Sequence, residues 1–97
     1  MIYHNVLFKF TAKATDEQLQ QLSSALEALP MVIPGLKFLK MRENFSNRNA
    51  GYTYMLVSGF DTMEDLKTYA SHPAHTRIIE QQIKPILEEL AVGDIEA

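Results

Sequence analysis

Two of the three histidines in the chain and one tyrosine fall within a single short segment, Tyr69-Ala70-Ser71-His72-Pro73-Ala74-His75. Histidine is the side chain that titrates near neutrality without help, and a phenol beside it can donate a hydrogen bond to an oxygen that gains negative charge. The segment is therefore a candidate acid/base site. Proline is favoured at the first helical position, so Pro73 predicts a helix start with His75 in its first turn. There the positive end of the helix dipole disfavours an imidazolium and leaves the neutral ring that a general base needs. His75 precedes Ile78 and Ile79 by three and four residues, which turns its ring toward the core. The same residues also fit a purely structural role: a buried tyrosine and histidine can satisfy each other or a backbone carbonyl, and His72, just before a helical proline, reads as a cap.

The elements that must position these groups follow from periodicity. Ile2, His4, Val6, Phe8 and Phe10 alternate with polar and mixed residues, predicting a strand with His4 on its more apolar face. Thr15 with Gln18 forms a capping-box pattern, and Leu19, Leu22, Leu26 and Leu29 make one stripe, so a helix is expected over about 16–29, ended by Pro30. Pro34-Gly35 is a turn, and Leu36 to Glu43 alternates as a second strand. The polar stretch Asn44 to Gly51 reads as a surface loop. Tyr52 to Phe60 is a third strand with Tyr52, Tyr54, Leu56 and Phe60 on one face, which places Tyr54 in the wall of a cavity shared with His4 and His75. Asp61 or Thr62 can cap a short helix through Tyr69, the helix restarted at Pro73 should kink or end near Lys84 because of Pro85, and 90–95 makes a last strand.

The order βαββαβ predicts an α+β, ferredoxin-like domain spanning 1–97, a four-stranded antiparallel sheet with helices on one face. The other face, including some of Leu7, Leu39, Met41, Thr53, Met55 and Val57, is then left without a cover. An apolar sheet face of several hundred Å² normally marks an interface, and a two-fold homodimer packed sheet to sheet is the expected solution.

Composition excludes other classes. Nine basic against twelve acidic residues, net charge -3 and no Lys/Arg cluster argue against nucleic acid as a partner. With no cysteine, thiolate chemistry and cysteine-held metals are out. His72 and His75 are three apart but need a third ligand, and His4 with no nearby Asp or Glu makes a poor set; no metal is expected. The four glycines are too dispersed for a nucleotide loop, so no cofactor is expected either. No apolar run approaches a membrane span and no leader pattern opens the chain, so a cytoplasmic protein with no membrane partner is the expectation.

His4 followed by Val6-Leu7-Phe8-Lys9-Phe10, the Pro30 to Gly35 turn, Gly51-Tyr52 and above all Tyr69 with His72-Pro73-Ala74-His75 resemble the stress-responsive dimeric α/β-barrel (Dabb) family over nearly the whole chain. The resemblance implies a ferredoxin-like monomer whose sheets pair into a dimeric barrel. A plant polyketide cyclase of that family carries a similar motif and uses its histidine and tyrosine for cofactor-free aldol chemistry; by position, His75 would be the base and Tyr69 would orient it or the substrate. Tyr54 stands where that enzyme has a further histidine. The expectation is a small hydrophobic or aromatic carbonyl ligand, with His75 and Tyr69 as candidate catalytic residues and His4, Tyr54 and His72 as candidate substrate-binding residues. The competing expectations are a non-enzymatic stress-response or interaction protein, and a cofactor-independent monooxygenase-like enzyme by analogy with related barrels.

Overall fold

The computed structural model describes Met1–Ala97. Strand β1 (Ile2–Phe10) leads through helix α1 (Asp16–Glu27) and a 3₁₀ turn at Leu29–Met31 into β2 (Leu36–Glu43), which pairs back with β3 (Tyr54–Phe60). Helices α2 (Met63–Ser71) and α3 (Pro73–Ile78), then a π-helical turn at Ile79–Ile83, lead into β4 (Leu87–Glu96). The four strands form one antiparallel sheet in the order β2-β3-β1-β4, the ferredoxin-like arrangement. No helix is long and apolar enough to cross a membrane.

Helix α1 begins where the sequence predicts, at the Thr15–Gln18 capping box. Such a cap contributes about 1 kcal/mol. Burial of Leu19, Leu22 and Leu26 against the sheet contributes about 1.5–3 kcal/mol each, so packing rather than capping decides that this helix forms. Its regular part ends at Glu27, and Leu29 is buried from the following 3₁₀ turn, where Pro30 is tolerated at the start. The helix also seals the free edge of β2: Glu27 accepts the Met41 N–H at 2.9 Å, and the Ser23 hydroxyl donates to the Met41 carbonyl at 3.0 Å. Unpaired backbone groups on an edge strand otherwise invite pairing with another chain.

One face assignment is corrected. Leu39 and Met41, expected on the uncovered face, are buried under the helices at 2% and 0% exposure. The reason is a register irregularity between Leu36 and Phe38, which lets Leu36 and Leu39 share the inner face although they are three apart. Phe38 takes the outer face instead, where its ring lies across Gly59 so closely that a Cβ there would meet it at 2.3 Å. Tyr3 joins it at 6.4 Å between ring centroids. Met55, Val57 and Leu7 occupy the outer face as predicted, with no element of the chain over them. β3 starts at Tyr54 rather than Tyr52, α2 runs two residues past Tyr69, and β4 is longer than expected, starting at Leu87.

Candidate functional site

The helix junction forms as the sequence predicts. His72 is extended (φ -66°, ψ 132°), as the residue before a proline must be, and its Nδ1 accepts the Ala74 N–H at 3.0 Å. It therefore ends α2 and caps α3, and its ring is spent on the backbone rather than on the cavity. Pro73 opens α3, which places His75 in the first turn with its ring pointing inward.

His75 stacks on Tyr69, ring centroids 4.0 Å apart and planes inclined by 29°. The two side chains do not hydrogen-bond each other. His75 Nδ1 lies 3.4 Å from the Ala70 carbonyl, a long contact in which the ring donates, leaving Nε2 as the basic nitrogen. Burial holds the His75 imidazole below its ordinary value, with a smaller contribution from His4 nearby. The first-turn position predicts a lowered value through the helix dipole; the value is lowered as expected, but by desolvation. The ring is accordingly neutral at pH 7.

Tyr69 is 2% exposed, and burial pushes its phenol well above the ordinary range, so it stays a hydrogen-bond donor. Its hydroxyl makes no hydrogen bond within the chain, yet no buried side-chain N or O is left without a partner. Tyr69 also lines a cavity on the inner face of the sheet.

That cavity has a volume of about 310 Å³ and lies between the inner sheet face and the α3–π-turn segment, at the lower end of the size range for small-molecule sites. Its apolar lining includes Val6, Phe8, Leu26, Leu56, Ile79 and Ile83, and its titratable lining residues are His4, Tyr69, His75 and Lys84. His4 stands on β1, edge-on to Tyr69 at 6.0 Å between centroids, so Tyr69 lies beside both imidazoles. The strand is pinned there by the buried Ser58 hydroxyl, which donates to the His4 carbonyl at 2.6 Å.

Two expectations about neighbours are corrected. His4 was expected to have no carboxylate near it, but its Nδ1 donates to Asp94 Oδ1 at 2.6 Å. The two residues are directly opposite in the β1–β4 register, a pairing made by residues 90 apart in the chain. The signal was present: in β4, Leu90, Val92 and Asp94 share one face, and that face is the inner one. Through this bond Asp94 fixes the tautomer of His4 and leaves its Nε2 as the free ring nitrogen. Tyr54, expected in the same cavity, is not among its lining residues. It belongs to a separate polar groove beside α1 and β2, near Asp16 and Glu43, with its ring edge-on to Phe10 at 5.7 Å. Tyr54 shares the inner face with Ser58, but it pairs with Phe8 whereas Ser58 pairs with His4. Four residues of strand separate the two positions, roughly 13 Å.

The depressed His75 value makes a pH prediction. The unfolded chain takes up the proton near the ordinary value of 6.5, while the folded ring resists it to lower pH. Between those two points the unfolded state binds more protons, so stability from this group is complete above about pH 6.5 and declines as pH falls through the folded value. Denaturant midpoints measured from pH 7.5 downward should show this decline in the native protein and a shallower one in His75→Gln.

Several known proteins share this fold and parts of this sequence. A stress-response A/B barrel domain-containing protein of Arabidopsis thaliana is 28% identical over 94 residues, 97% of this chain but 36% of that protein, so the chain spans about a third of that relative's length. Olivetolic acid cyclase of Cannabis sativa is 26% identical over 76 residues, covering 76% of this chain and 75% of the enzyme. Among solved structures, an Arabidopsis thaliana protein superimposes with a TM-score of 0.91 at 24% identity, over 100% of this chain and 95% of that one. A dimeric protein of ferredoxin-like fold and unknown function from Bacteroides fragilis gives 0.83 at 29% identity, over 99% and 95%. Residues 2–97 match the Stress responsive A/B Barrel Domain family, Dabb. The chain belongs to that family.

Proposed function

We propose that the protein is a homodimer whose cavity binds a small hydrophobic or aromatic carbonyl compound and catalyses cofactor-free proton transfer on it, with His75 as base and Tyr69 as oxyanion donor. The observation that carries this reading is that Tyr69 and His75, stacked at 4.0 Å and not hydrogen-bonded to each other, line one largely apolar cavity together with His4. Similarity to olivetolic acid cyclase supports a cyclisation as the reaction type.

In such a reaction His75 Nε2 removes a proton from the carbon between two carbonyls. The electron pair passes to the carbonyl oxygen, where the Tyr69 O–H stabilises the enolate. The enolate carbon attacks a second carbonyl of the same molecule, forming a C–C bond, and the new alkoxide takes the proton back from His75. The apolar walls exclude water that would compete for the enolate. His4, held by Asp94, faces the same space and would orient the substrate through Nε2.

Tyr69→Phe tests this directly. The hydroxyl has no partner in the folded chain, so its removal should leave the thermal midpoint within about 2 °C of the native value, a change of under about 0.5 kcal/mol. Cyclisation of a linear poly-β-ketone should slow by about a hundredfold or more, the usual cost of losing an oxyanion donor. A normal rate in the Phe variant would refute the role of Tyr69.

The non-enzymatic alternative has one observation in its favour, the Ala70 carbonyl accepting from His75 across the α2–α3 junction. At 3.4 Å this bond is weak.

A further inference from the structure

The cavity contains one permanently charged side chain, Lys84, among lining residues that are otherwise mostly apolar. Its place there depends on the local backbone. Lys84 N–H bonds to the Ile79 carbonyl at 2.9 Å, an i to i+5 bond that closes the π-helical turn Ile79–Ile83. In an α-helix, residue 84 would point roughly 140° away from residue 79, toward solvent. The wider π-turn brings residues 83 and 84 to either side of the direction of residue 79, and all three line the cavity. Such single-turn π segments are rare and concentrate at functional sites.

Lys84 lines the cavity and yet is 61% exposed at its side chain, the pattern of a stem laid on an apolar wall with the ammonium left in solvent. Nζ is held by Glu80 at 2.6 Å, and that carboxylate is 62% exposed. A pair so exposed is weak and exchanges partners readily. Asp94, opposite the lining residue His4 in the strand register, is already engaged by His4 Nδ1. The mouth therefore offers one cation with a loosely held partner above an apolar chamber.

We propose that Lys84 is a specificity-determining residue that selects ligands carrying a carboxylate at one end and an apolar chain or ring at the other, the carboxylate replacing Glu80 on the ammonium while the apolar part fills the cavity. This rests on the cavity being the ligand site, as proposed above. The substrate class is thereby narrowed from carbonyl compounds in general to carbonyl compounds with an anionic end.

Octanoate and 1-octanol, which share an apolar chain and differ in charge, are suitable probes for calorimetric titration of the native protein, Lys84→Gln and Glu80→Gln. Both substitutions are at exposed positions, and circular dichroism checks that each variant folds. The native protein should bind both probes. Lys84→Gln should weaken octanoate about tenfold and change 1-octanol less than twofold, and Glu80→Gln should tighten octanoate by removing its competitor. Added salt should weaken octanoate alone. Equal effects of Lys84→Gln on both probes, or none on octanoate, would overturn the inference while leaving the cavity reading intact. Failure of the native protein to bind either probe would overturn both.

Discussion

His75→Gln should lower the cyclisation rate by 10²- to 10⁴-fold, the range lost when a positioned general base is removed, while the protein stays folded. Glutamine is chosen because its amide can occupy much of the ring's volume and still donate to the Ala70 carbonyl, which His75 contacts at 3.4 Å. The stacking on Tyr69 would be lost, but aromatic pairs are worth only about 0.5–1.5 kcal/mol beyond burial. Stability should therefore fall by no more than about 1–2 kcal/mol. The non-enzymatic reading predicts the reverse: a several kcal/mol loss of stability with ligand binding unchanged. Denaturant titration and a rate assay on one preparation separate the two outcomes, because the same substitution acts on different quantities in each account.

The second large effect concerns the outer sheet face. Tyr3, Leu7, Phe38, Met55 and Val57 lie there with no helix or strand over them, the loop residues Asn44, Phe45 and Ser46 bordering Met55 and Val57, and Phe38 and Met55 are each 37% exposed. Val57, opposite Asn5 on one side and Lys40 on the other, is near the middle of this surface. In a two-fold interface every substitution occurs twice, and an aspartate at this position would bring two carboxylates into one apolar contact. Burying an unpaired charge costs several kcal/mol, and about 3 kcal/mol is already more than a hundredfold in dissociation constant. Sedimentation velocity at micromolar concentration should show a dimer for the native chain and a monomer for Val57→Asp. The solved relative from Bacteroides fragilis, described as dimeric, is consistent with the first of these. A native protein that sediments as a monomer would remove the dimer from the account without touching the cavity.

Much of the fold was legible because its signals are local. Alternation in 2–10 and 36–43 set the first two strands, the Thr15–Gln18 box set the start of α1, and Pro73 set the start of α3 with His75 turned inward. What was not legible depends on contacts between distant residues or on breaks in periodicity. The His4–Asp94 pair needs the β1–β4 register, which spans 90 residues. The irregularity at Leu36–Phe38 shifts the phase of β2, so a strict period of two puts Leu39 and Met41 on the wrong side. Pro85 signalled a disturbance near Lys84, but not that it would take the form of a π-turn that brings Lys84 into the cavity lining. Tyr54 shows the limit of face arguments: two residues can share a sheet face and still serve separate pockets.

Three elements supply the side chains of the proposed site. Strand β1 brings His4, oriented by Asp94 from β4; helix α2 brings Tyr69; and the first turn of α3 brings His75. Because α2 and α3 meet at His72-Pro73, the spacing of Tyr69 and His75 is set by a capped, proline-stiffened corner. A rigid corner suits a base and a donor that must address one substrate carbonyl together.

The central claim, that His75 removes a proton from carbon inside this cavity, can be measured without any cyclisation. A short β-diketone too small to cyclise is incubated with the protein in D₂O, and deuterium incorporation at its central carbon is followed by NMR. The account predicts saturable exchange faster than buffer alone at neutral pH, maintained down through pH 6.5 and declining only at lower pH, because burial holds His75 below its ordinary value, and lost in His75→Gln. Exchange no faster than buffer, with the diketone shown to be bound, would contradict it.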